Sequence, residues 1–138
     1  MMKRVILLFV CVAGIAVAGP LVTEWGEKVT PENAWREYPR PNLVRPQWQN
    51  LNGLWQYAVR GREDTPPPKW EGEILVPFCI ESSLSRVKRL LTDTELLWYR
   101  RTFTAEMKAD RRLLLHFGAV DFRAQVFVNG IEVTDVPH

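Results

Sequence analysis

Few side chains in this sequence could carry nucleophilic chemistry. The chain has two cysteines, Cys11 and Cys79, and two histidines, His116 and His138. A thiol becomes a useful nucleophile when a base or a cationic group lies beside it, and no spacing in the sequence brings a histidine to Cys79. We therefore expect Cys79 to be a small, buried apolar residue and His116 to be an ordinary strand residue.

Three carboxylates near predicted loops are the other candidates for chemistry: Asp93, Glu95 and Asp121. Carboxyl groups act as general acid and base only when the fold holds them within reach of the reacting atoms. Nothing in the sequence pairs these three, so we interpret them as solvated loop groups or turn caps. The sequence also lacks a glycine-rich phosphate loop, a Gly-x-Ser-x-Gly elbow, a His-Glu-x-x-His motif and paired cysteine ligands. We expect no catalytic residue, no metal site and no cofactor.

The elements that would position any functional residue are strands, and the clearest of them form a hairpin. Asn129-Gly130 lies between two alternating runs and is the preferred two-residue hairpin loop, because both residues tolerate positive φ. A loop of this length sets the register, so Val128 should face Ile131 and Val126 should face Val133. Such a hairpin is only marginally stable alone and needs further strands against its apolar face.

Alternating apolar and polar residues predict more strands before this hairpin. They cover residues 54–59, 74–76, 97–104, 112–117 and 121–128, and residues 131–133 complete the hairpin. In the first strand Trp55, Tyr57 and Val59 should share one face. Residues 78–94 are expected to form a loop with a helical turn. Short alternating strands with turn signals and no strong helix indicate an all-β fold, an antiparallel β-sandwich.

The first 18 residues have the layout of a secretory signal peptide. Lys3 and Arg4 precede an apolar run at residues 5–17, and residues 16–18 have a small-x-small pattern. The alternative, a membrane anchor, is less favoured because about 20 apolar residues are needed to cross a bilayer. Cleavage would leave an exported chain, periplasmic or extracellular, with no membrane attachment. It would also leave Cys79 with no cysteine for an internal disulfide.

Cleavage would also change the charge balance. The whole sequence has 18 basic and 16 acidic residues, and the loss of Lys3 and Arg4 leaves 16 of each. Nucleic-acid binding needs a basic excess gathered on one face of the protein. We therefore expect no nucleic-acid partner.

Residues 19–46 are rich in proline and are expected to form an extended arm over the domain surface. Proline disfavours helix both at its own position and at the preceding one. One helical turn is predicted at residues 32–36, since Thr30 can cap it and Pro31 suits its first position. Trp25 and Trp35 should anchor the arm by packing, and residues 47–138 should form the folded domain.

Several short segments occur together in the folded region and in a fixed order. They are Asn50–Trp55, Ile74–Phe78 followed by Glu81-Ser82, Trp98–Phe103, Leu115–Asp121 and Val126–Gly130. This set resembles the N-terminal sugar-binding domain of glycoside hydrolase family 2, the group of β-galactosidases, β-glucuronidases and β-mannosidases. The likeness covers about residues 43–133. It implies a jelly-roll β-sandwich, a galactose-binding-domain-like fold, and a parent enzyme that hydrolyses O-glycosyl bonds.

The chain departs from the family after its hairpin. In the family a Gly, a His and a Gly-Gly-Tyr segment follow, and further strands complete the sandwich; here only residues 134–138 follow. Both catalytic glutamates of the family lie in a (β/α)₈ barrel, so no position here can inherit their role. The resemblance therefore implies a non-catalytic fragment whose sandwich is incomplete at its C-terminus. Its open strand edges would need the rest of the hydrolase, or another chain, to cover them.

The resemblance also implies where a sugar would be contacted. In intact members this domain lends a loop to the rim of the sugar pocket, and residues 91–96 are the candidate. Asp93 is the predicted contact, because a carboxylate accepts hydrogen bonds from neighbouring hydroxyls. The alternative function is a free-standing secreted carbohydrate-binding module, for which Trp70 and Trp98 would be the aromatic platforms. A third alternative is a structural or adhesion sandwich without a ligand.

Overall fold

The structure is a computed structural model, and it describes residues 22–37, 40–62, 65–106, 109–110, 112–121 and 123–136. The predicted signal peptide at residues 1–18 lies outside these ranges. Within them, no helix has both the length and the apolar character needed to cross a membrane. Their regular structure is strand, apart from one short α-helix and two 3₁₀ turns, at Pro41–Leu43 and Ser83–Ser85.

Three antiparallel strands form the larger sheet: β1 (Gly53–Gly61), β2 (Gly72–Val76) and β3 (Glu95–Arg100). The central strand is β1, with β2 on one side and β3 on the other. Trp55 pairs with Ile74 in β2. All three predicted strands are confirmed, although β3 spans residues 95–100 and not residues 97–104.

One face of this sheet carries the apolar core. Val59 and Ile74 are buried on it, and Ile80, from the segment after β2, is buried with them. The partly buried side chains packed around this centre are Trp55, Tyr57, Val76, Val87, Leu91 and Leu97. Because side chains alternate along a strand, the prediction that Trp55, Tyr57 and Val59 share a face is confirmed.

The segment between β2 and β3 is irregular with one 3₁₀ turn, as predicted. Ser85 is fully buried in it, and its hydroxyl lies 2.9 Å from the Ile80 carbonyl that accepts its proton and 3.0 Å from the Val87 amide that donates to it. The prediction for Cys79 is wrong, because Cys79 is exposed while its neighbour Ile80 is buried. Cys79 opens a turn in which the Ser82 amide donates to the Cys79 carbonyl at 2.9 Å, and this turn directs Ile80, not Cys79, into the core.

A second, two-stranded antiparallel sheet is formed by β4 (Ala124–Val128) and β5 (Ile131–Val136). Its turn residues, Asn129-Gly130, have φ angles of 51° and 82°, as the predicted turn requires. This hairpin touches the larger sheet through an aromatic pair: the Phe127 and Trp98 rings are stacked, with centroids 6.2 Å apart.

The hairpin register agrees with the prediction only beside the turn. Val128 pairs with Ile131, as expected, but Val126 pairs with Thr134 and not with Val133. The pairing shifts between Val126 and its neighbour, which leaves Val133 as the extra residue of a β-bulge. The predicted pairing of Val126 with Val133 is therefore wrong, because a turn sets the register only as far as the next irregularity.

Residues 112–117 form no strand in the structure, so the strand predicted there is wrong. Leu113 and Leu114 are both 57% exposed, and Leu115 is 44% exposed, so neither side of the segment is buried. Alternation favours an extended backbone, but a strand also needs a neighbour to take its hydrogen bonds. The described residues thus form two small antiparallel sheets, and the jelly-roll sandwich stays a prediction.

The N-terminal arm lies on the sheet domain through its backbone and small residues. Its first element, α1 (Glu24–Glu27), is a single helical turn whose N-cap is Thr23. A turn follows at residues 31–35, near the predicted helical turn, and the Thr30 hydroxyl accepts the Asn33 amide at 3.3 Å as a cap would.

The predicted packing role of Trp25 and Trp35 is wrong. Their side chains are 76% and 66% exposed, while Ala34 is fully buried. The arm is held through the Trp35 carbonyl, which accepts hydrogen bonds from the Asn50 and Asn52 side chains at 3.0 and 2.9 Å. Large aromatic residues in a proline-rich stretch predict side-chain packing. Here the arm is attached instead by hydrogen bonds from side-chain amides of the sheet domain to a backbone carbonyl of the arm.

Candidate functional site

The loop before β3 is the candidate contact loop, and hydrogen bonds within it fix its shape. The Thr92 amide donates to the Glu95 carboxylate at 2.9 Å, and the Glu95 amide donates to the Thr92 carbonyl at 3.2 Å. These reciprocal bonds close a tight turn with Asp93 and Thr94 at its tip. The Asp93 carbonyl also accepts hydrogen bonds from Nε and Nη2 of Arg62, beyond the end of β1.

A chain of ion pairs supports this loop from one side. The Arg60 guanidinium lies 2.9 Å from Glu71, and Arg89 lies 3.4 Å from Glu71 and 2.5 Å from Glu95. The hydrogen bond from the Thr92 amide is the largest effect on the pKa of the Glu95 carboxyl and lowers it; desolvation opposes this, and Arg89 adds to the lowering, so the pKa is below its usual value. Glu95 is therefore a fixed anion at neutral pH and is unsuited to donate a proton.

The Asp93 carboxylate is exposed at the tip of the loop, and none of the described residues donates a hydrogen bond to it. A carboxylate held this way has its acceptor sites open to solvent and to hydroxyl groups of a ligand. Asp121 is also exposed, in the irregular segment before β4, and the structure does not join it to Asp93. Within the described ranges, no group of three or more His, Cys, Asp or Glu residues is placed to hold a metal ion.

Trp98 lies on the sheet face opposite the core, paired with Ala58 of β1. Its ring is half-buried against Phe127, and its Nε1 is buried without a hydrogen-bond partner among the described residues. Trp98 lies three positions after Glu95, which is about 10 Å along β3. Asp93 and Trp98 could therefore contact different units of a chain of sugars, but not one sugar ring between them.

Trp70, the other predicted aromatic platform, has a protein partner on one face of its ring. The Arg100 guanidinium lies 4.7 Å from the ring centroid. Gln56, on the neighbouring strand, accepts hydrogen bonds from Nε and Nη2 of Arg100 at 2.8 and 2.6 Å. His116 is exposed, with its ring 5.8 Å from that of Trp48.

Two of the segments that carry the family resemblance, Asn50–Trp55 and Trp98–Phe103, meet at a structural joint that sequence reasoning missed. Arg101, just after β3, donates from Nη1 to the Leu51 and Asn52 carbonyls at 2.8 and 3.1 Å. Gly53 follows with a φ of 126°, and a Cβ built there would lie 3.1 Å from Nη1 of Arg101 and 3.2 Å from the Pro31 carbonyl oxygen. Burial, and then the nearby charge of Arg36, lower the pKa of Arg101.

This joint ties the arm, the start of β1 and the end of β3 together. The sequence signal for this joint is that Asn50–Gly53 and Arg100-Arg101 occur in the same chain. Backbone carbonyls and side-chain amides at the start of β1 hold Arg101 and the arm, so these segments build the fold and carry no reaction.

Comparison with known proteins gives a distant and partial similarity. No model of a protein family matches the sequence. A protein named β-glucuronidase, from Paenibacillus borealis, is 28% identical over 107 residues, which cover 70% of this chain and 17% of that protein. The chain is distantly similar to part of a β-glucuronidase. It spans less than a fifth of that relative's length, and the likeness suggests a relation to a domain of family 2 glycoside hydrolases.

Proposed function

We propose that this chain is the non-catalytic, N-terminal sugar-binding domain of an exported family 2 glycoside hydrolase, one that acts on β-linked sugars. The observation that carries the proposal is the partial similarity to a β-glucuronidase over 70% of the chain. The joint around Arg101 supports it, since it gives a structural reason for two of the ordered segments that resemble this family.

The carboxylates of the contact loop support a role in binding and not in bond cleavage. Hydrolysis of a glycosidic bond commonly uses two carboxyl groups on opposite sides of that bond, one of them able to donate a proton. Glu95 is held ionised by the Thr92 amide and by Arg89, and Asp93 is exposed at the loop tip. In the proposed role Asp93 accepts hydrogen bonds from sugar hydroxyls, and Trp98 lies further along β3.

The rest of the hydrolase is the proposed partner. Exposed apolar side chains are gathered in the segment before β4 and on the hairpin: Leu113, Leu114, Leu115, Phe117, Ile131 and Val133, each 44–71% exposed. We propose that the rest of the hydrolase covers these side chains, because large exposed apolar patches commonly mark interaction sites. Export is proposed from the charged and apolar pattern of residues 1–18, and the hydrolase would then act in the periplasm or outside the cell.

The test is immunodepletion of native glycosidase activity. Antiserum against the recombinant chain is added to the exported and cytoplasmic fractions of the source cells, and hydrolysis of chromogenic β-glucuronide, β-galactoside and β-mannoside is measured. We expect the antiserum, but not preimmune serum, to remove activity towards at least one substrate from the exported fraction. The recombinant chain alone should hydrolyse none.

Two results would contradict the proposal. One is hydrolysis of a chromogenic substrate by the recombinant chain, and the other is antiserum that captures the chain but removes no glycosidase activity. In the second case, glycan binding by the captured chain would instead support a free-standing carbohydrate-binding module.

A further inference from the structure

The arm carries two tryptophans that do not serve packing. Trp25 and Trp35 are 76% and 66% exposed. Together they line an open depression of about 470 Å³, whose other lining residues are Lys28, Val29, Asn33 and Glu37. This volume lies in the range of about 300–1,000 Å³ that small-molecule sites occupy. Exposure of two indole rings in the lining of one depression is unfavourable in water, and a ligand that covered both rings would remove this cost.

Trp25 is held outward by the way α1 packs. The Thr23 hydroxyl caps the helix by accepting the Gly26 amide at 3.1 Å. A Cβ built on Gly26 would lie 2.9 Å from a methyl carbon of Val22 and 3.3 Å from one of Leu84. Gly26 therefore lies on the side of α1 that faces Leu84 of the sheet domain, while the neighbouring Trp25 is exposed to solvent.

Trp35 is held outward by its backbone. Its φ is 49°, in the left-handed region that bulky residues rarely adopt. Two side-chain amides, of Asn50 and Asn52, donate to its carbonyl, and the preceding residue, Ala34, is fully buried. A strained conformation persists only where its surroundings fix it, and such residues cluster at functional sites. The strain here presents an indole ring to solvent.

The polar groups of the depression limit what the occupant can be. Lys28 pairs with Glu24 at 3.2 Å, and Glu37 adds an exposed carboxylate at the rim. The Asn33 amide shapes the floor, because it accepts from the Thr30 amide at 2.7 Å and donates to the Lys28 carbonyl at 2.8 Å. Among the lining residues Lys28 carries a positive charge and Glu37 a negative one, so the lining has no excess of either sign for an anionic or a cationic ligand. A neutral ligand with hydroxyl groups and an apolar C–H face fits best.

We propose that this depression is a carbohydrate subsite on the arm, separate from the Asp93 loop, and that it binds the pyranose rings of a neutral β-linked glycan. The inference rests on the proposed function for its ligand class and adds a second contact region to it. The C–H face of a sugar packs on the indole rings of Trp25 and Trp35. Lys28 donates hydrogen bonds to sugar hydroxyls, and Glu37 accepts them.

Binding to soluble hexasaccharides tests this subsite. The full chain is titrated with cellohexaose, mannohexaose and xylohexaose, and with α-linked maltohexaose for comparison, by ligand-observed NMR and tryptophan fluorescence. We expect binding of at least one β-linked hexasaccharide. Trp25→Ala and Trp35→Ala should each weaken that binding about tenfold, while Trp35→Phe should restore part of it.

Matched controls separate the subsite from general effects. Leu90→Ala and Leu43→Ala each remove another apolar side chain, 80% and 65% exposed, that does not line the depression. Both should bind as the unchanged chain does. Far-ultraviolet circular dichroism and urea midpoints check that Trp25→Ala and Trp35→Ala are folded.

Several outcomes would overturn the subsite. They are an absence of binding to every β-linked hexasaccharide, unchanged binding by both tryptophan variants, and tighter binding of choline than of any sugar. Self-association through these tryptophans would also overturn it. It would appear in sedimentation as an oligomer of the unchanged chain, with both tryptophan variants sedimenting as monomers. If Asp93→Asn weakens glycan binding while both tryptophan variants leave it unchanged, the subsite fails and the proposed function stands. Immunodepletion judges the proposed function independently.

Discussion

Replacement of Arg101 by methionine tests whether the joint at the start of β1 stabilises the fold. Methionine keeps much of the length and the apolar stem of arginine but removes all five N–H donors. The Leu51 and Asn52 carbonyls, 2.8 and 3.1 Å from Nη1, then lose a charged partner. The contact with the Leu54 carbonyl, at 3.5 Å, is too long to add much.

The expected cost follows from these two bonds. A hydrogen bond to a charged donor contributes about 1.5–3 kcal/mol, and the lower end applies because Arg101 is only half-buried. Two bonds then give about 3 kcal/mol, a large part of the roughly 5–15 kcal/mol that small domains have in total. With a urea slope of about 2 kcal/mol per molar, the unfolding midpoint should fall by about 1.5 M.

Arg100→Met is the matched control, since it removes the neighbouring arginine from an exposed site. Arg100 contacts Gln56 and the Trp70 ring, and exposed contacts of this kind contribute about 1 kcal/mol or less. Urea unfolding of both variants is followed by far-ultraviolet circular dichroism. A midpoint for Arg101→Met within about 0.3 M of the unchanged chain, or a larger loss for Arg100→Met, would refute the assignment of the joint to Arg101.

Two further predictions concern the backbone and a titrating group. Gly53→Ala should cost about 3 kcal/mol, from strain at its φ of 126° and from a Cβ close to Arg101 and the Pro31 carbonyl oxygen. Gly130→Ala, with a φ of 82° and open space around it, should cost only about 1 kcal/mol; equal losses in urea unfolding would argue against the close approach at Gly53. Burial, followed by nearby acidic groups, raises the pKa of Tyr99 from 10.0 to about 12. Folding therefore favours the protonated phenol, and this stability is present below pH 10 and lost as the pH rises towards 12. Phenolate absorbance of the unchanged chain and of Tyr99→Phe should differ by a group titrating near pH 12, and a difference near pH 10 would contradict the shift.

The larger sheet could be predicted because its signals are local. Alternation in β1 places Trp55, Tyr57 and Val59 on the core face, and that pattern needs no knowledge of distant residues. The Asn129-Gly130 turn is equally local, since its backbone angles depend on two residues. Elements that depend on a partner were harder to predict. Residues 112–117 alternate but meet no strand, and Val133 forms a bulge that the turn does not specify.

The candidate site could be predicted only in outline. The loop before β3 could be predicted because the alternation in β3 shows where that strand begins. Asp93 therefore falls at the tip of the loop. The hydrogen bonds and ion pairs that support the loop could not be predicted from the sequence, because Arg62 and Asp93 are 31 positions apart and Glu71 and Arg89 are 18 positions apart. The same limit applies to the joint, where Arg101 and Leu51 are 50 positions apart. Side-chain contacts over such separations depend on the finished fold.

The hydrogen bond from Asn52 to the arm affects how fast this asparagine can deamidate. Asparagine followed by glycine deamidates readily, because the glycine nitrogen can attack the side-chain amide, and the chain has two such pairs, Asn52-Gly53 and Asn129-Gly130. The Asn52 amide donates to the Trp35 carbonyl, and its backbone N–H donates to Asn50 at 2.7 Å. Asn129 lies in an exposed turn. During storage the hairpin turn should therefore acquire isoaspartate first, while the pair beneath the arm stays intact for as long as the arm remains docked.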